Sequence, residues 1–477
     1  MKLFRNAIIL VVVVGLLVAA YLYLGSRKTD NTDPAVDTPE EEISIINSAQ
    51  DKVSSLEFHN EGGSYKLVKK DKSWTMEPEM EFLLDSSLVD AAAGDFADLN
   101  ANKVVEEKAA DLGKYGLDKP TASVRVGFED GTFKEAEIGA VTPTSDGAYV
   151  KLKGESKVYV VGLYYQTKFN YNRGYFAVKD ILPIEATSVS AITFEKNGEV
   201  QFALDILSEN KINITAPVKD VAEPQEVSQI SSAVVQLKIK DVVDENPDLA
   251  KYGLDKPAFS IQYGDGKSSK TILFGKQLEK GVTAYAKYPE GKSVFTVDIS
   301  GLNFLDRKFS SLVSSFVFLP NISEVNKVEL KIDGKTIVSD ITTNKDDSDK
   351  DTFKVDGKDA NMESAEGKSL FRNFYSAMIG ITMYKYEAGY KPAGTPEVTI
   401  KYYMKPDSKP VTIEYISKDE NYYYAMKDGV YTNRIVLKTV LDEPDGIRAT
   451  YKALKEAIDK GTDKSADKSA DKGTDKK

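Results

Sequence analysis

Apolar and polar residues alternate in three stretches that read almost alike: "VSSLEF" at Val53–Phe58, "VSAITF" at Val189–Phe194 and "VNKVEL" at Val325–Leu330. A second alternating stretch follows each: "TASVRVGF" after Pro120, "AFSIQY" after Pro257 and "EVTIKY" after Pro396. Val124, Ile261 and Ile400 hold equivalent places in these stretches. A period of two predicts strands with one buried face. Between the two sets the period lengthens. Val89, Ala92, Phe96 and Leu99 form one stripe, and Val227, Ile230, Val234 and Leu237 repeat it. That spacing predicts an amphipathic helix over about Ser86–Leu99 and a counterpart in the second copy. Shorter alternating runs add strands at Tyr65–Lys69, Ser73–Met76, Phe133–Ile138, Ala148–Lys151 and Lys157–Val160, with "EDGT" and "GDGK" as hairpin turns. The expected fold class is α+β: three tandem repeats of mainly antiparallel sheet with helices, each about 135 residues. The expected boundaries are 46–185, 186–322 and 323–455, the last a degenerate copy.

The most specific repeated element is "KYGLDKP", at Lys114–Pro120 and again at Lys251–Pro257. Its residues read as a joint. Gly116 and Gly253 stand just past a short helix, where only glycine adopts the left-handed conformation without steric cost. Leu117 and Leu254 are placed to meet Leu112 and Leu249 across the helix end. Asp118, Lys119, Asp255 and Lys256 are turn residues. Pro120 and Pro257 stop the helix and launch the next strand. Tyr115 and Tyr252 read as aromatics at the edge of the core. The competing reading makes Tyr115, Asp118 and Lys119 a ligand-contact loop. The third copy keeps only an echo in "YEAGYKPAGTP" at Tyr386–Pro396.

The N-terminus breaks the pattern. Ala7–Leu24 reads "AIILVVVVGLLVAAYLYL", uncharged, with Lys2 and Arg5 before it and Arg27 and Lys28 after it. At about 1.5 Å per residue this run covers roughly 27 Å, close to the hydrocarbon thickness of a bilayer. It predicts a transmembrane signal anchor over 1–25, a cleaved signal peptide being the alternative. A flexible acidic linker over 26–45 and a disordered, low-complexity charged tail over 456–477 complete the expected layout. The expectation is a single-pass protein of the bacterial cell membrane with most of the chain extracytoplasmic.

Composition narrows the chemistry. The 477 residues carry a formal charge of −11, which argues against nucleic acid as a partner. There is no cysteine and one histidine, His59. Disulfides, thiolate metal sites and histidine triads are thereby excluded. "DDSDKD" at Asp346–Asp351 has alternating acids, but Thr352 and Lys358 stand where a calcium loop needs Gly and Glu. His59 reads as a turn residue and Trp74 as core. No phosphate-binding loop or serine-hydrolase elbow is present. No catalytic residue, metal ligand or cofactor is expected. Two aromatic runs remain as candidate partner-binding residues: Tyr164, Tyr165, Tyr171 and Tyr175, and Tyr422, Tyr423 and Tyr424. Such rings can stack on sugars or grip peptide, or can simply fill a seam. Arg173, Arg307 and Arg434 each follow late strands of a copy and read as loop-to-carboxylate ties.

An N-terminal anchor followed by repeats that contain "YGLDKP" and an alternating strand resembles the bacterial family of domain of unknown function 4340. The likeness covers most of Val53–Val313 and, more weakly, Val325–Tyr451. It implies a membrane-anchored extracytoplasmic protein without established enzymatic activity, often associated with ABC-type export systems. The expected function is therefore a non-enzymatic accessory or scaffold of such an exporter, with the membrane (through Ala7–Leu24) and an ABC permease as partners. The alternative is a cell-envelope module that binds glycan or peptide through the aromatic runs.

Overall fold

The computed structural model describes residues 43–407 and 409–470. The chain divides into two compact units, Met1–Val178 and Lys179–Lys477. The first is built on an eight-stranded antiparallel sheet. Its spatial order is Ser73–Glu77, Gly63–Lys70, Val53–Asn60, Ala122–Phe128, Phe133–Val141, Gly147–Leu152, Val158–Gly162, Lys103–Glu106. Alternation sends Leu56, Phe58, Val124 and Val126 to one face, where the helix Ser86–Ala97 lays Val89, Ala92 and Phe96 on them. The Asp85 carboxylate starts that helix by accepting from the N–H groups of Ser87 and Leu88. The helix stops two residues earlier than its apolar stripe. Leu99 is still buried, but from a strand, Asp98–Ala101, which pairs with Ile43–Asn47.

The second unit holds two nine-stranded sheets of the same topology. The central register is the same in all three sheets: Phe58 opposes Val124, Phe194 opposes Ile261, and Leu330 opposes Ile400. Helices Pro224–Val235 and Leu370–Ile379 take the place of Ser86–Ala97. Each sheet ends in a strand not expected from the sequence: Lys103–Glu106, Ile239–Asp244 and Lys385–Tyr386.

The heptapeptide is a repeated joint. Asp111 and Asp248 cap the short helices by accepting from Gly113 N–H (3.0 Å) and Ala250 N–H (3.1 Å). Gly116 (φ 65°) and Gly253 (φ 69°) are left-handed. Leu117 N–H reaches Leu112 O at 3.0 Å, and Leu254 N–H reaches Leu249 O at 2.9 Å. Tyr115 donates to the Glu106 carboxylate (2.8 Å) and Tyr252 to that of Asp244 (3.0 Å). Each tyrosine therefore latches the outermost strand of its sheet. The turn also rests on a second glycine. A Cβ on Gly139 would lie 2.3 Å from Tyr115 O, and one on Gly275 would lie 2.3 Å from Tyr252 O.

The repeats are stitched by short strand pairings. In the first unit Phe176–Val178 pairs with Leu83–Asp85, through Asp85 N–H to Phe176 O and Val178 N–H to Leu83 O, both 2.8 Å. In the second unit Leu312–Ser314 pairs with Val221–Glu223, through Glu223 N–H to Leu312 O (2.8 Å) and Ser314 N–H to Val221 O (2.9 Å). The linker then turns to pair forward, with Met383 N–H on Ser315 O (2.7 Å) and Val317 N–H on Ile381 O (3.1 Å). In the third repeat the corresponding place ahead of helix Leu370–Ile379 is taken by the chain itself. Glu363 and Ser369 form a bridge, and Ser364 N–H donates to Lys368 O at 2.8 Å. Helix Ile447–Ala470 packs against Leu370–Ile379, burying Leu454 and Ile458, with Tyr451 and Phe374 rings 5.4 Å apart.

Three expectations are corrected. The transmembrane anchor over Ala7–Leu24 lies outside the described residues, and among the described residues no helix is long and apolar enough to cross a membrane. The fold is thus three large antiparallel sheets and one two-stranded sheet with interspersed helices, and among the described residues no helix spans a membrane. Single-pass topology and tethering through Ala7–Leu24 are not carried forward. At the other end, helix Ile447–Ala470 runs well into the segment read as an unstructured tail.

Candidate functional site: the tyrosine face of the third sheet

The tyrosines singled out in the first unit serve the core. Tyr165 is buried among Phe96 and Phe169, with ring separations of 6.4 Å to each. Tyr171 and Tyr175 stack at 3.7 Å, and the Tyr171 carbonyl accepts from Tyr65 OH (2.6 Å) and Asn60 Nδ2 (2.8 Å). Only Tyr164 is exposed, and it lies on Tyr165 under Lys168 Nζ. The outer face of this first sheet is ionic. Glu135 is buried between Arg125 (2.8 Å) and Lys153 (2.7 Å). Burial works against its charge, but the hydrogen bonds from Lys153 and Arg125 outweigh that and hold the carboxyl below its ordinary range.

The third sheet differs. Strand alternation splits the run Tyr422–Tyr424: Tyr423 points into the core and donates to Glu397 (2.8 Å), while Tyr422 and Tyr424 point outward. Tyr424 stands opposite Ile416 on one side and Ile435 on the other. Both isoleucines are buried although they lie on the face away from the helix. Their cover is aromatic. Tyr390 lies 5.5 Å from Tyr424 and 6.4 Å from Tyr431, Tyr424 lies 5.5 Å from Tyr431, and Tyr384 lies 5.2 Å from Tyr422. Tyr384 and Tyr390 remain 59% and 45% exposed. Polar groups flank the rings. Lys418 Nζ is 5.6 Å from the Tyr422 ring and 6.0 Å from that of Tyr390. Glu387 pairs with Lys385 and, at 3.7 Å, with Lys418. The hydrogen bond from Lys385 holds the Glu387 carboxyl below the usual carboxylate range. Burial pushes the Tyr431 hydroxyl up, and that hydroxyl has no hydrogen-bond partner among the described residues.

Sequence reasoning named Tyr422 and Tyr424 but missed Tyr384, Tyr390 and Tyr431. Tyr384 and Tyr390 sit in a loop without period, and only the pairing of Lys385–Tyr386 with Val430–Leu437 brings them to the sheet. Among the described residues no group of acidic or histidine side chains could hold a metal ion. His59 bonds Ser64 (2.8 Å) and Glu57 (3.2 Å). Asp351 of the acidic loop pairs with Arg372. Arg307 pairs with Glu226, whereas Arg173 donates to the carbonyls of Pro78 (2.7 Å) and Glu79 (3.2 Å).

A family model described as a domain of unknown function (DUF4340) matches residues 74–248 and 213–378. The chain belongs to the DUF4340 family. Each matched segment starts in one repeat and ends in the next, the first at Asp248 beyond strand Ile239–Asp244 and the second within helix Leu370–Ile379, and both heptapeptides fall inside the matches, though the match does not single them out. No curated protein and no solved structure matches the chain. The exporter reading is corrected on these findings: the DUF4340 match carries no transporter similarity and no described residue spans a membrane as a helix, so neither a permease partner nor a membrane location is retained.

Proposed function

We propose that this DUF4340 chain is a non-catalytic binding module and that its ligand is a glycan chain lying across the tyrosine face of the third sheet. The observation that carries the reading is the double layer of rings. Tyr422, Tyr424 and Tyr431 are held by the sheet, and Tyr384 and Tyr390 lie over them, half in solvent. Flat, partly exposed rings offer stacking surface to sugar C–H faces at little entropic cost, since a tyrosine has few rotatable bonds. Lys418, Lys385 and Glu387 stand at the rim, where hydroxyl groups of a sugar would find both donors and an acceptor. A single histidine and no cysteine leave little for acid–base or nucleophilic work, which favours binding over turnover.

The test is retention on purified cell-wall polysaccharide. Tyr384→Ala and Tyr422→Ala should each weaken retention about tenfold, the equivalent of about 1.4 kcal/mol. Tyr164→Ala, in the first unit, should leave it unchanged. Equal retention by all three variants would refute the assignment.

A further inference from the structure

The second sheet carries a cavity of about 320 Å³ at one end of strands Ala191–Lys196 and Phe259–Gly264. None of the tyrosines of the third sheet lines it. Two rungs of the repeated ladder form its floor: Thr193 opposite Gln262 and Ala191 opposite Gly264. Ile192, Phe194, Ile261 and Tyr263 are buried on the core face, so alternation turns Thr193 and Gln262 to the outer one. The other repeats fill the same rungs. In the first, Glu57 opposes Arg125 and Ser55 opposes Gly127. Arg125 pairs with Glu57 at 3.5 Å and lies 4.8 Å from the Phe133 ring, and a Cβ on Gly127 would lie 2.5 Å from Ser55 Oγ. In the third, Glu329 opposes Lys401 and Lys327 opposes Tyr403. Tyr403 donates to Glu329 (3.0 Å), and Lys327 pairs with it (2.6 Å). The second repeat has only small or uncharged side chains at these rungs, and Gly264 cannot be enlarged, because a Cβ there would lie 2.3 Å from Ser268 O.

The polar ends around this space belong to Ser190, Thr193, Gln262, Lys267, Ser268 and Ser269. Apart from a long contact of Ser190 Oγ with Gly264 O (3.4 Å), none of them has a protein hydrogen-bond partner among the described residues. Lys267 is the one charged side chain of the lining. Two carboxylates stand just outside it. Asp265 turns into its own loop, accepting from the N–H groups of Lys267 (2.9 Å) and Ser268 (2.7 Å), and Asp205 lies across from Ala191. An anion would thus meet two negative groups against one positive, and a cation would meet the ammonium. An apolar group would bury hydroxyls without partners. The ligand that fits is neutral, with groups that both donate and accept, as the lining hydroxyls and amide do. We infer that the cavity holds a single neutral sugar residue, gripped through its hydroxyls by Thr193, Gln262, Ser268 and Ser269. No ring is offered for stacking, since Tyr263 faces the core, so binding here is by hydrogen bonds alone and is weak. The inference does not rest on the glycan reading of the third sheet.

The experiment is saturation-transfer difference NMR on the full chain, with free glucose, galactose and N-acetylglucosamine as probes and glucose 6-phosphate as the charged control. It is run in a Tyr384→Ala, Tyr422→Ala background, so that the tyrosine face does not contribute. Transfer to at least one neutral sugar is expected. Thr193→Glu combined with Gln262→Arg rebuilds the ion pair of the first repeat inside the cavity and should weaken that binding about tenfold. Ser268→Ala combined with Ser269→Ala, on the exposed turn, should weaken it as well and serves as the test if the first pair lowers the thermal unfolding temperature. Absence of transfer to every neutral sugar, binding that survives the substitutions, or tighter binding of glucose 6-phosphate than of glucose would each overturn the inference. Polysaccharide retention by Thr193→Glu, Gln262→Arg with all tyrosines intact reads the third sheet separately and should be unchanged.

Discussion

At the scale of single residues, the joint at Lys114–Pro120 shows which identities the fold requires. Gly116 needs its left-handed backbone, and Gly139 needs the absence of a Cβ because the Tyr115 carbonyl passes over it. Gly139→Ala and Gly275→Ala should each cost about 1–3 kcal/mol in chemical denaturation, the range of overpacking. Asp118→Ala should change stability by less than about 0.5 kcal/mol, because that side chain is exposed and makes no described hydrogen bond. The helix stop and strand start were legible from Gly, Leu and Pro. The role of Tyr115 was not, because Glu106 belongs to an edge strand of four residues, too short to give a period. Gly139 was equally hidden, since close approach of two backbones leaves no mark in either sequence. Glu135 supplies a pH test. Its carboxyl is depressed in the fold, so its contribution is full above the unfolded value near 4.3 and is lost as the pH falls through the lower folded value. Glu135→Gln should therefore destabilise by about 1–3 kcal/mol at neutral pH, with the gap to the parent chain closing below about pH 4.

At the scale of elements, the central strands were readable because each has one buried and one open face, and period two follows directly. The strands that complete the sheets were not. Ile239–Asp244 is paired on one side only within its sheet, and Lys385–Tyr386 is two residues long. Their strand character comes from the neighbour they join, which no local pattern encodes. The tyrosine run shows both limits at once. Composition flagged Tyr422–Tyr424, and alternation separates Tyr423 from the other two, but the overlying Tyr384 and Tyr390 arrive through tertiary pairing. Tyr423→Ala should thus act on stability, by about 3–5 kcal/mol, the range for emptying an aromatic core position. Arg434 ties together elements of the second unit through Asp220 and the Ser314 carbonyl. Arg434→Ala leaves Asp220 buried without its partner and should cost about 3–5 kcal/mol. Asp220→Asn combined with Arg434→Met should recover part of that loss in a double-mutant cycle.

At the scale of the molecule, the two units can be followed separately. The chain has one tryptophan, Trp74, and it is buried in the first unit with its indole N–H on Asp90 at 2.8 Å. Its fluorescence should report the first unit alone, while far-ultraviolet dichroism reports both. Arg434→Ala should then shift the dichroism transition and leave the tryptophan transition in place; a common shift would mean that the units unfold as one. The repeat itself was legible from self-similarity, because each copy must bury the same faces. How successive copies join was not, because the linkers carry the pairing in their backbone. That distinction bears on engineering. A spare copy of the second repeat spliced in before the third would find linker partners waiting on both sides. The same copy added behind the third would meet an edge that Glu363–Ser369 has already claimed for itself. In the third repeat those main-chain hydrogen bonds stand where an outgoing linker pairs in the first two, so lengthening the array at that end should begin with deleting Glu363–Ser369.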